Sequence, residues 1–301
     1  VTFNVVSYLN YDKTINYDLL EKDLQVLTRS AYRVTMNKLE LAEWNITQEE
    51  DRLLGVSPSS WMDMIEATNM GETEEIEFMK WLYAIIRKAA DDYADELGLN
   101  HSLNITAVKP SGTLGLVANA SSAGVHMSHS PYHWRTIRMD KANPMFKVVS
   151  QLNWRIEDDI TRPATTAVIY FPIKSAAKRT KFDVSVTEQL ERYKRFQTYY
   201  TDQNTSITVT VQSGEWETAT KWLYNNWNNF TAVSFLSLTD HQYVQAPYQT
   251  ITKEEYLEAS KDLDDLSHEL LTKYLELDEY YKEEVEVDPD CATGACLGDR
   301  L

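Results

Sequence analysis

No cysteine stands before position 291 in this chain of 301 residues, and its only two, Cys291 and Cys296, lie close to its end. A disulfide framework is thereby excluded. A zinc site is disfavoured too, since two further ligands would have to come from distant histidines. Long apolar runs are also missing. No stretch is long enough to span a bilayer and no signal peptide opens the chain, so no membrane partner is expected and the expected location is the cytoplasm. The sequons at Asn45, Asn104, Asn119, Asn204 and Asn229 carry no meaning without an export signal. Positive charge is scarce: 29 Lys and Arg against 46 Asp and Glu leave a formal net charge of -17. Such a surface repels nucleic acid, so no nucleic-acid partner is expected, although one local basic pocket for a phosphorylated small molecule remains compatible with it.

Several motifs are absent as well. There is no Gly-x-Ser-x-Gly elbow to make a serine reactive, no Rossmann glycine pattern, no Walker fingerprint, no internal repeat and no low-complexity linker before the tail. The initiator Met is lacking, and Val1 to Val6 already read as strand. That start is expected of the C-terminal part of a longer polypeptide or one half of a split one, a trimmed chain being the bland alternative.

What is present supports a sizeable core: 43% of residues are hydrophobic and 11% aromatic, enough for one large domain or two ordinary ones. Residues 1–9 read as a buried strand. Apolar spacing predicts a helix from Asn16 to about Met36, and a second, with Thr73 as its cap, running to Gly98. Between them, Asp51 to Asp63 reads as a turn-rich connector into a short helix. Leu103 to Lys109 alternates as a half-buried strand does. A long loop is expected over about Asn119 to Arg138, and a strand over Ala164 to Phe171 closed by Pro172. Capping boxes at Ser185/Glu188 and Thr252/Glu255 open a helix to about Tyr199 and a long acidic helix. Strands at Ser206–Gln212 and Thr231–Leu238 flank an aromatic-rich helix from Trp216 to Phe230. Alternating strands and helices predict an α/β fold with a largely parallel sheet or barrel.

The chain is organised around Lys109-Pro110-Ser111-Gly112-Thr113-Leu114-Gly115. Pro110 ends the preceding strand, and Ser111, Gly112 and Thr113 can open a helix. A strand feeding a small-residue turn and a helix N-terminus presents unpaired N–H groups suited to phosphate. An ordinary strand-to-helix turn with a Ser or Thr cap fits these residues better when they are taken alone, since Ser-Gly-Thr turns are common. Cys291 and Cys296, separated by a permissive spacer of four residues, can close a ring and exchange with another disulfide. His126, His129 and His133 lie in one loop without metal-ligand spacing, and read as polar loop residues satisfying backbone groups. Arg135, Arg138 and Lys141 form a local basic cluster open to an anion or to pairing. The polar run Thr201–Thr208 suits either a cavity wall or a solvent-facing strand.

In combination, Arg52–Asp63 (Arg-Leu-Leu-Gly-Val-Ser-Pro-Ser-Ser-Trp-Met-Asp), Lys109–Gly115, Gly124–Arg138 (with Gly-Val-His, Ser-Pro-Tyr and Arg-Thr-Ile-Arg), Gln245–Tyr248 and the terminal Cys-Ala-Thr-Gly-Ala-Cys resemble the ribonucleotide reductases, and among them the class II, adenosylcobalamin-dependent ribonucleoside-triphosphate reductases. The resemblance implies the C-terminal portion of a ten-stranded α/β barrel over 1–282 and a flexible redox tail over 283–301. It implies that Ser111, Gly112, Thr113 and Leu114 hold the phosphates of a ribonucleotide. Cys291 and Cys296 become the dithiol that re-reduces the active site, recharged by a thioredoxin-like reductant. Adenosylcobalamin is the implied cofactor, with no metal site besides. The family's radical cysteine and its reducing pair belong to an upstream segment, so an N-terminal partner in cis or in trans is implied and the chain alone is expected to be inactive. The alternatives are a non-catalytic or decayed nucleotide-binding fragment, or part of a class I (ribonucleoside-diphosphate) large subunit. For the latter, Tyr199-Tyr200 and Tyr280-Tyr281 are the available tyrosine pairs, and both read better as packing or surface residues. A thiol-disulfide carrier fits less well, because such dithiols sit at a helix start.

Overall fold

The computed structural model describes residues 1–109, 111, 114–115, 118, 120–238, 243–261, 263–270, 272–273 and 276. The chain divides into two compact units, Val1–His133 with Ile173–His241, and Trp134–Pro172 with Gln242–Leu301. The boundary expected at 282/283 lies outside the described residues. In chain order the elements begin with β1 (Thr2–Asn4), a 3-10 turn (Val5–Tyr8), α1 (Tyr17–Val34), α2 (Ala42–Asp51), β2 (Ser57–Ser59), α3 (Trp61–Thr68) and α4 (Glu72–Leu97). Next come β3 (Tyr132–Asp140), α5 (Pro144–Val149), β4 (Arg155–Asp158) and β5 (Thr166–Lys174). They continue with α6 (Val186–Tyr199), β6 (Thr208–Val211), α7 (Trp216–Asn225), a second 3-10 turn (Trp227–Asn229), β7 (Ser234–Ser237), β8 (Tyr248–Thr250) and α8 (Lys253–Ala259).

The first unit is built on parallel pairing. β1 runs parallel to β2, with Thr2, Phe3 and Asn4 opposite Ser57, Pro58 and Ser59. Parallel bridges then join Val56 to Thr106 and Val108 to Thr205. β6 runs parallel to β7, Thr208 to Val211 facing Ser234 to Ser237. The spatial order of these segments is their order in the chain. The helices follow suit: α1 packs on α4, α4 on α6, and α6 on α7. A sheet that keeps chain order, with its helices in one row, is an arc of an α/β barrel and not a doubly wound sheet, whose strand order reverses.

Leu103–Lys109 is extended but not half-buried as its alternation predicts. Ile105, Thr106, Ala107 and Val108 are all buried, because neighbours flank this segment on both sides and parallel strands of this kind are covered on both faces. Val56 N–H donates to Ile105 O at 3.0 Å and Ser206 N–H to Val108 O at 2.9 Å. β6 shows the expected alternation, with Ile207, Val209 and Val211 buried.

Other expectations shift at element ends. The opening strand stops at Asn4, whose side chain accepts the Val6 N–H and turns the chain into a 3-10 helix. α4 is capped at Gly71, not Thr73, since the Glu74 carboxylate accepts the Gly71 N–H at 2.9 Å. It ends at Gly98, as its left-handed φ of 66° requires. Ser185 caps α6, but Glu188 is drawn to Arg179 at 2.7 Å and the reciprocal half of the box is not made. The Thr252/Glu255 box is complete, yet α8 spans only 7 residues. β3 begins at Tyr132, inside the expected loop, and β5 runs through Pro172 to Lys174. Pro172 is tolerated because β4 pairs only with Ala167–Tyr170, so no ladder donor to β4 is missed there. Helix α2, which buries no side chain, and strands β2, β4 and β8 have no counterpart in the sequence reading.

The second unit carries a four-stranded sheet of order β4-β5-β3-β8, with β4 antiparallel to β5. The largely parallel arrangement is therefore a property of the first unit. α5 starts from Asn143, which caps Met145, with Pro144 at its first position.

The first unit's core gathers where α3, α4 and α6 meet. Trp61 stacks on Phe78 at 5.5 Å and meets Phe196 edge-on at 4.8 Å. Full burial of residues such as Leu24, Leu82 and Ile86 contributes about 1.5–3 kcal/mol each. A buried polar knot sits beside them. Glu75 accepts Trp61 Nε1 at 2.7 Å and Arg195 Nε at 3.0 Å, and lies 3.6 Å from Arg192. Arg192 is itself buried, and that burial lowers its pKa. Glu75→Ala strips this buried cation of a counter-charge and is expected to lower the unfolding free energy by about 3–5 kcal/mol. Removing the exposed Glu77 is expected to change it by less than about 1 kcal/mol; urea unfolding of the two variants compares them.

Candidate functional site

Ligand sites in open or barrel α/β sheets form beyond the carboxyl ends of the strands. Here Asn4 ends β1, Ser59 ends β2, and Lys109 and Ser111 follow the third strand segment. The Ser111 hydroxyl shares a hydrogen bond with Thr2 Oγ1 at 2.9 Å. Lys109 N–H donates to Ser57 Oγ at 2.9 Å, which fixes the strand just before the turn. Ser111 has φ 47°, a left-handed conformation that serine seldom adopts. Its carbonyl accepts the Gly115 N–H at 2.5 Å, and Leu114 O accepts the Ala118 N–H at 3.0 Å, both bonds of helical spacing. Asn4 Nδ2 donates to Ala118 O at 3.0 Å and ties β1 to that turn. Leu114 is 54% exposed. Ser111 and Leu114 thus lie where the motif places them, whereas Gly112 and Thr113 lie outside the described residues, as do Cys291 and Cys296.

The segment 120–124 underlies this turn. Gly124 has φ 50°, and a Cβ there would stand 2.8 Å from Lys109 O. Its N–H donates to Ser59 Oγ at 3.1 Å and its carbonyl accepts Trp61 N–H at 3.2 Å. Ser122 O accepts both Ser60 N–H and Ser59 Oγ at 3.1 Å. Asp63, buried in the first turn of α3, accepts hydroxyls from Ser121 at 2.5 Å, Ser122 at 2.8 Å and Ser175 at 3.3 Å. Burial raises its pKa and these donors oppose the rise. Sequence reasoning missed Asn4, Ser59, Asp63, Ser121, Ser122 and Ser175. Ser59 and Asp63 stand within the Arg52–Asp63 motif without a role assigned to them there; the others show only a density of small polar residues, which turns share.

The remaining candidates are engaged elsewhere. His126 Nδ1 pairs with Ala123 O and its Nε2 accepts Thr208 N–H, both at 2.9 Å, while His133 Nδ1 pairs with Ser130 O. These two histidines satisfy backbone groups, as read from the sequence. Burial first, then Lys181 and His133, push the His129 pKa down to about 3. The basic cluster is paired within the second unit. Arg138 binds Asp159 at 2.8 Å, Lys141 binds Asp158 at 2.6 Å, and Arg135 lies over the Tyr248 ring at 4.5 Å while donating to Pro247 O. Burial works to raise the Asp159 pKa, but Arg162 N–H, Arg138 and Thr161 together hold it at about 2. The Thr201–Thr208 run is mixed: Thr201, Thr205 and Ile207 are buried, whereas Gln203 and Thr208 face solvent. Asp202 accepts Ile105 N–H and Tyr83 OH, and Thr201 bonds Thr205, within packed protein. Tyr200 is a core residue donating to Val56 O, and Tyr280-Tyr281 lie outside the described residues. Among the described residues no cluster of His, Cys, Asp and Glu is set to hold a metal, and no helix is long and apolar enough to cross a membrane.

The barrel arc with a small-residue turn beyond its strand ends matches an α/β fold of the ribonucleotide reductase type. The chain resembles, at TM-score 0.75 and 26% identity, the crystal structure of a B12-dependent (class II) ribonucleotide reductase, over 86% of this chain and 40% of that one. More particularly, it is 30% identical over 310 residues to the adenosylcobalamin-dependent ribonucleoside-triphosphate reductase of Lactobacillus delbrueckii subsp. bulgaricus, covering 92% of this chain and 41% of the relative. It is 31% identical over 237 residues to the like-named protein of Euglena gracilis, covering 76% and 31%. No family model matches the chain. The chain is a sequence and structural relative of the class II reductases, corresponding to their C-terminal part, and spans about two fifths of the length of the bacterial relative.

Two outcomes follow from the local geometry. Gly124→Ala meets both a left-handed φ and the Lys109 carbonyl, so it is expected to cost about 1–3 kcal/mol in denaturant unfolding. His129 is neutral in the fold but protonates in the unfolded chain below about pH 6.5. Unfolded protein therefore binds the extra proton, and stability is expected to fall as pH drops from 6.5 toward 3. His129→Gln should flatten that slope in urea titrations at pH 7, 6 and 5.

Proposed function

We propose that this chain is the substrate-phosphate and re-reduction part of a class II ribonucleotide reductase, which converts ribonucleoside triphosphates to deoxyribonucleotides by a radical mechanism. The observation that carries the reading is the position of the Ser111 turn, at the carboxyl ends of a parallel arc whose fold matches a class II enzyme. The first amides of a helical turn have no partner within it, and their dipoles favour negative charge. Ser111 to Leu114 would bind the phosphates through these amides and the Ser111 hydroxyl. Lys109, exposed beside them, adds a positive charge in an otherwise acidic protein. This part of the site orients substrate and transfers no proton or electron to it.

Re-reduction belongs to Cys291 and Cys296. One thiolate attacks the active-site disulfide and forms a mixed disulfide. The other displaces the active-site thiolate, which leaves a reduced active site and an oxidised tail. A thioredoxin-like dithiol then reduces the tail. The radical cysteine and its reducing pair lie on an N-terminal segment, joined in cis or supplied in trans. Radical initiation is the chemistry that adenosylcobalamin would supply to the whole enzyme. His126 does not fit as a cobalt ligand, because both its ring nitrogens are engaged by backbone groups.

The isolated chain, given adenosylcobalamin and a small dithiol, is expected to form no deoxynucleotide, and its formation overturns the division of labour. It is expected to bind CTP in calorimetry, with Ser111→Ala weakening binding about tenfold, the scale of one hydrogen bond to a charged group. Absence of CTP binding by the unaltered chain overturns the phosphate assignment.

A further inference from the structure

We propose that Asp63 is a positioning residue for the chain on either side of Ser111, from Lys109 to Gly115, acting through the hydroxyls of Ser121 and Ser122. The inference rests on the reading of that turn as a phosphate site.

Asp63 is fully buried, and no ion pair to it exists among the described residues. A carboxylate without a cation is a costly group to bury. What the carboxylate supplies is accepting capacity with no donor of its own, so every hydroxyl facing it must point its proton inward. Three hydroxyls do so. Two come from consecutive residues, Ser121 and Ser122, both to Oδ2, and the third from Ser175 to Oδ1. Ser175 Oγ in turn accepts the Ala177 N–H at 3.1 Å. Asp63 therefore fastens three separate stretches at one point: the start of α3, the 120–124 segment and the chain that follows β5.

Of these, 120–124 is the stretch that bears on the turn. Ala120 N–H closes the turn by donating to Gly115 O at 2.8 Å. Gly124, at the other end, has its α-carbon against the Lys109 carbonyl, where an added Cβ would stand only 2.8 Å away. Between these contacts, Ser121 and Ser122 are drawn onto Asp63. Shifting the two serines moves both supports of the Lys109–Gly115 turn together. The oxygens of Asp63 are occupied by their donors, so the residue acts through the 120–124 segment and does not touch the ligand.

The test measures CTP binding by the full chain in calorimetry, with thermal unfolding in parallel. Asp63→Asn is expected to weaken CTP at least tenfold, and Ser121→Ala at least threefold, at unchanged unfolding midpoint. Ser121 is half-buried, so Ser121→Thr keeps the hydroxyl without crowding and is expected to restore affinity to within twofold. That rescue is a readout that lost packing alone would not give. If Asp63→Asn lowers the midpoint, the Ser121 pair alone decides the matter. Affinity within twofold of the unaltered chain for Ser121→Ala, or equal loss in Ser121→Thr and Ser121→Ala, overturns the proposal while leaving the phosphate site standing, provided Ser111→Ala still weakens CTP. Absence of CTP binding by the unaltered chain overturns the phosphate site and this proposal with it.

Discussion

Two parallel bridges, Val56 to Thr106 and Val108 to Thr205, hold the first unit's sheet in one piece. Everything at the candidate site depends on them. They fix the strand segment before Ser111 between its neighbours, and parallel pairing brings the carboxyl ends of all the segments to one side. Asn4, Ser59 and Ser111 become neighbours from positions more than fifty residues apart only because their strands run the same way. The opposite ends are tied just as firmly, by Asp202 on Ile105 N–H and Thr106 Oγ1 on Tyr200 O. That end carries the stability, while in barrels of this kind ligand sites form at the opposite end.

The elements most legible in the sequence were those with strong local causes. α1 and α4 have long apolar faces, Gly98 is a left-handed stop, and Thr252 with Glu255 forms a complete box. The misreadings share one cause, competition from distant partners. Glu188 left its box for Arg179, and the strand before Pro110 lost its half-buried pattern because both its neighbours lie far away in sequence. β2 is only three residues, two of them serine, and exists because β1 pairs with it. No propensity argument finds such a strand.

The site was legible to a different degree. Ser111 and Leu114 came from a turn motif whose local physics alone did not separate an anion site from a capped turn. Neighbouring motifs pointed to the class II reductases, and the similarity in sequence and fold bears out that resemblance. The roles of the serines and the aspartate below the turn were not legible, because a buried carboxylate and an exposed one look alike until burial is known. The basic cluster shows the converse. Arg138 and Lys141 look available in an acidic chain, but Asp159 and Asp158 are their partners within the same small sheet.

The agreement between strand order and chain order has a consequence for modularity. In a doubly wound sheet the first strand is central, and removing the opening βα unit takes the middle out of the sheet. In this arc each βα unit is added beside the one before it, so a break in the chain between units takes away a flank and leaves the remaining pairs intact. A topology of this kind permits one barrel to be encoded as separate lengths of polypeptide that meet along a strand edge, since no length has to be threaded between strands of another.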